Sequence, residues 1–174
     1  MNTVLRLSGY SLPLLLALSC APQVPAFTDA ERAAVADSAR ALLAQQDIGA
    51  ESLSGAAWTA RFSSDPDARF AGDGVVYALD ALRTAADVFY SNLESLKVAA
   101  DATDVIVLGP EAAVIVRQAH MIVKTKTGQE ATVQLVFTGV VQRRDGQWQM
   151  VQTHESELNA ADFIAAITPD QPAG

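Results

Sequence analysis

The second half of the chain is divided by turn signals into four strand-like segments, and this pattern constrains the fold more than any other feature. The turn signals are Gly109-Pro110, Thr127-Gly128 and Asp145-Gly146. The predicted strands span residues 104–108, 112–125, 129–143 and 147–157. Asp-Gly is a strong signal for a two-residue hairpin because both positions must accept positive φ. We therefore expect a largely antiparallel sheet.

The sequence patterns in the first half of the chain predict helices. Thr28 and Glu31 have capping-box spacing and open an alanine-rich helix to about residue 46, with Gly49 marking its end. The elements predicted to follow are a helix over 50–62, a hairpin around residues 72–74, and a helix that Asp80 caps and that runs to about residue 97. Because helices precede strands, the predicted fold class is α+β, with helices on one face of the sheet.

The N-terminal stretch has the layout of a bacterial secretion signal. Met1–Ser19 contains the cation Arg6, a short apolar run and no acidic residue. The residues before Cys20 resemble a lipobox with two positions exchanged, and Cys20 is the only cysteine, so acylation would cap an otherwise unpaired thiol. We expect a lipid-anchored protein of the bacterial cell envelope; the alternative is ordinary cleavage after Ala26, which gives a soluble periplasmic or secreted protein.

These boundaries predict one folded domain. Residues 1–19 form the predicted signal, 20–26 the lipid-attachment cysteine and tether, 27–160 the domain and 161–174 a tail. Without Met1–Ser19, 11 basic residues face 20 acidic ones, a net charge of −9. Nucleic-acid partners need a basic face, so this charge argues against them.

The hairpin loops predict which sheet residues face the helices. If both Thr127-Gly128 and Asp145-Gly146 are two-residue loops, Phe137 lies opposite Gln118 and His154. The inner face is then mainly apolar, with a polar group near Phe137 that comprises Gln118, His120, Gln152, His154 and Ser156. Buried polar side chains need hydrogen-bond partners. This cluster of five therefore indicates either a ligand pocket or a water-exposed edge of the core.

The order of motifs resembles the SnoaL-like branch of the nuclear transport factor 2-like superfamily. The resemblance rests on Trp58, on the segment Ser63–Asp67, and above all on Arg144–Ser156, which is similar to the family's closing R-x-D-G-x-W turn and H-x-S strand. It implies a cone-shaped, curved sheet wrapped around a helix, with a pocket between them and dimerisation through the outer sheet face. Superfamily members include ketosteroid isomerase and polyketide cyclases, so the fold alone does not select a reaction.

The predicted inner face offers histidines and no carboxylate. Glu155 points outward in this register, whereas His154 matches the family's recurrent C-terminal histidine and His120 could partner it; a neutral imidazole can accept a proton near pH 7. A metal site usually needs three or more protein ligands, and these are the only two histidines, so no metal and no cofactor are predicted.

Two main functions follow. The first is an envelope module, expected to be a homodimer, whose pocket binds a small apolar or weakly polar molecule without changing it. The alternative is a lyase or isomerase acting on a small apolar carbonyl compound with His154 as base. A third hypothesis is protein docking through the outer sheet. The predicted pocket residues are Trp58, Phe62, Tyr77, Phe89, Gln118, Phe137, Gln152 and Ser156.

Overall fold

The computed structural model describes residues 27–72 and 74–158. The predicted signal peptide, the lipid-attachment residue Cys20, the tether and the tail 161–174 lie outside these residues. Among the described residues, no helix is long and apolar enough to span a membrane.

The described part of the chain has the predicted α+β fold, with three helices and one six-stranded sheet. The elements are α1 (Asp29–Glu51), α2 (Gly55–Trp58), β1 (Arg69–Gly72), β2 (Val75–Tyr77), α3 (Leu79–Ser91), β3 (Leu93–Gly109), β4 (Ala112–Thr125), β5 (Glu130–Arg144) and β6 (Gln147–Glu157). The sheet order is β2-β1-β6-β5-β4-β3. Every pairing is antiparallel except β1 with β6.

Helix α1 begins as predicted and ends later. Thr28 Oγ1 accepts a hydrogen bond from the Glu31 backbone N–H, and Glu31 Oε2 accepts one from the Thr28 N–H at 2.7 Å, which completes the capping box. Gly49 does not end the helix but lies inside it and is buried. A Cβ at Gly49 would lie 2.5 Å from the Ala57 carbonyl oxygen, so glycine permits the close approach of the α2 backbone.

The middle of the chain departs from the prediction. The helix predicted over 50–62 is only four residues long, although Trp58 and Phe62 do contact each other with ring centroids 5.4 Å apart. Helix α3 starts after Ala78 without a side-chain cap and ends at Ser91, well before the predicted residue 97.

Strand β3 explains why the third helix was predicted too long. Leu93 and Leu96 are both buried, yet they lie on β3 and not on a helix. A register shift between Leu93 and Ser95 lets two residues that are three apart face the core. This bulge reproduces the spacing of a helical stripe, which sequence periodicity alone cannot distinguish from a helix.

The β4–β5 loop is one residue longer than predicted. Thr125 donates to the Gln129 carbonyl at 2.8 Å, so the loop is Lys126-Thr127-Gly128, with Gly128 at φ +85°. Arg117 therefore lies opposite Phe137, where Gln118 was expected. All of β4 is turned over relative to the prediction, and its inner residues are odd-numbered.

Strand β6 contains a bulge. The Asp145-Gly146 turn is a two-residue loop as predicted, and Val141 pairs with Met150. Val140 then pairs with Gln152, so Val151 is the extra residue. Beyond it, Glu155 lies opposite Phe137, where His154 was expected, and Glu157 lies opposite Leu135.

Candidate functional site

A cavity of about 260 Å³ lies between α1, α3 and the inner face of the sheet. Its walls are mainly apolar and aromatic. The lining residues are Leu43, Gln46, Asp47, Ala50, Trp58, Tyr77, Leu82, Ala85, Ala86, Phe89, Tyr90, Leu96, Val98, Arg117, Ala119, Met121, Leu135, Phe137, Glu155 and Glu157. This volume lies just below the range of about 300–1,000 Å³ that is typical of pockets for drug-sized ligands, so the cavity suits a smaller molecule.

Two rows of paired residues form the floor. Phe137 lies between Arg117 and Glu155, and Leu135 lies between Ala119 and Glu157 on the next row. Because inner residues alternate with outer ones along each strand, all six side chains project from the same face. The floor therefore has an apolar centre with charged groups on the flanking strands.

Arg117 is held by α1. Its side chain is only 5% exposed, and Nη1 donates to Asp47 Oδ1 at 2.7 Å. Arg117 Nε and Gln46 Oε1 are also buried, and neither has a hydrogen-bond partner among the described residues. The ion pair compensates the buried guanidinium charge, while a donor and an acceptor beside it remain unused.

Tyr90 projects from α3 and is buried. Burial raises the pKa of its phenol well above the ordinary value, and the negative charges of Glu155 and Asp87 raise this pKa further. The hydroxyl is therefore protonated and can donate a hydrogen bond at neutral pH. Glu155 is close enough to act on it electrostatically.

Half of the predicted pocket residues line the cavity. Trp58, Tyr77, Phe89 and Phe137 contribute to its wall. Phe62 lies in the core and is 6% exposed. Its ring centroid is 4.8 Å from that of Phe70. Four of the five predicted aromatic residues thus line the cavity, because large aromatic residues face the core whichever strand register holds.

The predicted polar residues lie outside the cavity. His154 and Ser156 are exposed on the outer face, and Gln152 lies beside them on the same face. Gln118 is exposed as well, and His120 Nδ1 lies 3.1 Å from Asp101 Oδ1. The predicted inward position of all five was wrong, because a three-residue loop and a bulge each shift the register by one.

The family comparison agrees with this architecture. A model of the SnoaL-like domain matches residues 39–160. The chain belongs to the SnoaL-like domain family. No curated protein sequence matches it.

Solved structures show that other proteins share the fold of this SnoaL-like domain. Hexachlorocyclohexane dehydrochlorinase LinA-type3 from Novosphingobium barchaimii superimposes with a TM-score of 0.63 at 15% identity, covering 76% of this chain and 96% of that one. A nuclear transport factor 2-like superfamily protein from Salmonella enterica gives 0.63 at 16% identity over 72% and 92%. An uncharacterised protein with a cystatin-like fold from Caulobacter vibrioides gives 0.60 at 16% identity over 78% and 98%. Identities this low establish the fold alone.

The SnoaL-like domain also contains site residues that the sequence interpretation missed. The prediction that no carboxylate faces the cavity was wrong, since Asp47, Glu155 and Glu157 all line it. Arg117 and Gln46 were missed as well. A signal existed in β4: Ala113, Ile115, Ala119, Met121 and Val123 share the odd-numbered face with Arg117. The even-numbered face holds Val114, Val116 and Ile122, so hydrophobicity did not decide between the two.

The site combines groups that can bind and groups that can transfer a proton. Its apolar wall can enclose a small molecule, its carboxylates can accept protons or pair with a cation, and the Tyr90 hydroxyl can donate. Among the described residues, no cluster of three or more His, Cys, Asp or Glu side chains is placed to hold a metal ion.

Proposed function

We propose that this SnoaL-like domain binds a small, mainly apolar molecule in the cavity between α1, α3 and the sheet. The observation that carries the proposal is the cavity of about 260 Å³, which has aromatic walls and a few charged groups on its floor. Sites for small molecules generally combine such apolar walls with a small number of placed polar groups. An ordinary core would instead be filled to near-crystalline density.

A substitution that fills the cavity tests this proposal. Ala86 is a buried residue of α3 that lines the cavity, so Ala86→Leu extends a side chain into the space. We expect this change to weaken binding of the fluorescent probe 2-naphthylmethanol by about tenfold or more, because the leucine side chain occupies space that the probe needs. Ala81→Leu on the exposed side of the same helix is the matched control and should leave binding unchanged. Equal affinity in wild type and Ala86→Leu would show that the probe binds elsewhere.

A second candidate function is proton transfer with Glu155 as the general base. The inward position of Glu155 beside the protonated Tyr90 favours it, because removal of a proton next to a carbonyl needs a base and a donor for the developing oxyanion. The dehydrochlorinase from Novosphingobium barchaimii has a similar fold and is named for an elimination. The catalytic base proposed is thus Glu155, since His154 lies outside the cavity.

The base can be tested without knowing the natural substrate. Elimination of 5-nitrobenzisoxazole needs only a base in an apolar site and is followed by absorbance. We expect the wild type to accelerate it, Glu155→Gln to lose most of that acceleration, about a hundredfold, and His154→Gln to keep it. Acceleration that survives Glu155→Gln would exclude Glu155 as the base.

We further propose that the domain is exported, anchored through a lipid on Cys20, and dimeric through the outer sheet face. Met1–Ser19 and Cys20 support the first two points. Exposed apolar residues on the outer face support the third, namely Ile106, Leu108, Ile122 and Val136. Sedimentation velocity should give a dimer for the wild type and a monomer for Val136→Glu; a monomeric wild type would contradict the dimer.

A further inference from the structure

Two polar side chains interrupt the apolar elements that wall the cavity. Gln46 lines it from α1, on the same helix face as Leu43 and Ala50. Arg117 lines it from β4, on the same inner face as the apolar residue Ala119. Both are well buried, since Gln46 is 6% exposed and Arg117 is 5% exposed. A hydrophobic side chain would fill either position without burying a polar group, so the presence of Gln46 and Arg117 needs an explanation.

These two side chains leave one donor and one acceptor unused at the same end of the cavity. Arg117 Nε–H donates to no acceptor in the described part of the chain, and Gln46 Oε1 accepts from no donor there. Arg117 contacts Asp47, which follows Gln46 in the chain, so both unused atoms belong to the α1 end. A buried polar atom without a partner costs stability until a partner meets it. A ligand that accepts one hydrogen bond and donates another would meet both.

The positive charge of Arg117 is already balanced. Its Nη1 donates to Asp47 Oδ1 at 2.7 Å, and this ion pair compensates the buried guanidinium. A carboxylate ligand would bring a second negative charge to a cation that already has a partner, and its oxygens carry no proton to donate to Gln46 Oε1. The unused atoms at this end therefore match an uncharged polar group better than an anion.

We propose that the ligand of this cavity carries an uncharged group that accepts one hydrogen bond and donates another, a carboxamide or a hydroxyl, attached to an apolar body. Its oxygen accepts from Arg117 Nε–H, and its N–H or O–H donates to Gln46 Oε1. The apolar body lies against Phe137 and Trp58, which line the same cavity. The inference rests on the proposed binding function and specifies the polar group of its ligand.

Three planar probes of nearly equal shape test this hydrogen-bond pattern. They are 2-naphthamide, methyl 2-naphthyl ketone and 2-naphthoate, which share one ring system. The amide has a donor and an acceptor, the ketone has an acceptor only, and the carboxylate has acceptors and a negative charge. Titration calorimetry at neutral pH should give the amide an affinity roughly tenfold above that of the ketone. The carboxylate should bind more weakly than the amide.

The variant Gln46→Met assigns the preference for a donor to one residue. Methionine has no amide oxygen, so the affinities of the amide and the ketone should come within about twofold of each other. The matched control is Gln45→Met, because Gln45 precedes Gln46, is exposed and does not line the cavity. This control should keep the wild-type preference. Thermal unfolding without a probe should show Gln46→Met to be at least as stable as the wild type, because an apolar group replaces an acceptor without a partner.

The variant Arg117→Lys tests the other partner. Lysine keeps a positive charge for Asp47 but lacks the Nε–H of arginine. The amide and the ketone both accept from this group, so each should bind roughly tenfold more weakly. The ratio of their affinities should stay near the wild-type value, in contrast to the ratio in Gln46→Met. If Arg117→Lys does not fold, the ratio in Gln46→Met decides alone.

The outcomes separate this inference from the proposed function. The uncharged donor-and-acceptor group is excluded, while the binding function stands, if the ketone or the carboxylate binds the wild type as tightly as the amide does. The same holds if the preference for the amide survives Gln46→Met, or if a folded Arg117→Lys keeps both wild-type affinities. If neither these three probes nor 2-naphthylmethanol binds the wild type, the binding function fails and the inference fails with it.

Discussion

Gly49 lies where α1 meets α2, and the backbone of Ala57 would be 2.5 Å from a Cβ at this position. The obstructing atoms belong to the backbone, so they cannot rotate away. We expect Gly49→Ala to destabilise the domain by about 1–3 kcal/mol because overpacking outweighs the higher helix propensity of alanine. Urea unfolding measures the change.

Gly109→Ala is the matched control, since no heavy atom lies within 4 Å of a Cβ there and its φ is not positive. It should be close to neutral. Similar stabilities of the two variants would show that α1 and α2 are not packed as closely as the structure has them.

Glu51 connects the end of α1 to β3. Its Oε2 accepts from Lys97 Nζ at 2.9 Å and its Oε1 from the Val98 backbone N–H at 3.1 Å. These bonds, that from Lys97 first, hold the pKa of Glu51 below its ordinary value of 4.5. The stabilisation is therefore present above pH 4.5 and is lost as pH falls through the lowered pKa.

Replacing Glu51 should make the free energy of unfolding decrease less as the pH is lowered. We expect Glu51→Gln to be less stable than the wild type at neutral pH and to lose less stability on acidification to about pH 3. Urea unfolding across that range tests it, with the exposed Glu130→Gln as control. Parallel profiles for wild type and Glu51→Gln would contradict the role of the carboxylate.

The role of a single residue was predictable from the sequence where its partner lies close to it in the chain. Thr28 and Glu31 satisfy each other within one helical turn, so their spacing alone identified the capping box. Gly49 was misinterpreted because its role depends on Ala57 in another element. Contacts between elements leave no signature in local sequence spacing.

Among the elements, β6 decides which side chains reach the cavity. Thr153 is 6% exposed and faces inward, whereas His154 is exposed on the outer face. In a chain with Cys20→Ser, we expect a cysteine at position 154 to react with a maleimide at least about tenfold faster than one at position 153, since a buried thiol must wait for local opening. Faster labelling of the Thr153→Cys variant would show that β6 has no bulge at Val151.

The same strand shows what limits prediction at this scale. Strands β4 and β6 were located to the residue because Gly, Pro and Asp punctuate the sequence around them. The buried face of each strand was not predicted correctly, because it depends on one extra residue. For β4 this residue lies in the loop 126–128, and for β6 it is Val151. Both faces of β4 are apolar enough to be buried, so no penalty visible in the sequence opposed the wrong choice.

At the scale of the whole molecule, the segregation of helices and strands was enough to predict the fold class. The charged residues of the cavity were not predictable, because they come from separate elements: Asp47 from α1, Arg117 from β4 and Glu155 from β6. These residues are placed around one cavity only when the register of β4, β5 and β6 is predicted correctly. Fold class depends on patterns averaged over many residues, whereas a site depends on a few single ones.

The proposed anchor would place this cavity next to a lipid surface. Six residues, Ala21–Ala26, separate Cys20 from Phe27, and a fully extended segment of that length reaches at most about 20–22 Å. Apolar molecules partition from water into lipid, so the mainly apolar ligand proposed for this cavity and its binding site would meet in the same place.

Acylation of Cys20 is the step that tests this arrangement. We expect the mature protein made in a bacterial host to fractionate with membranes and its N-terminal peptide to have the mass of Cys20 carrying a diacylglyceryl group, because two acyl chains give stable anchoring where one does not. Cys20→Ala should move the protein out of the membrane fraction while leaving the cavity's probe affinity unchanged. A mature protein that begins at Phe27 would instead establish cleavage after Ala26, and the cavity would then draw its ligand from solution.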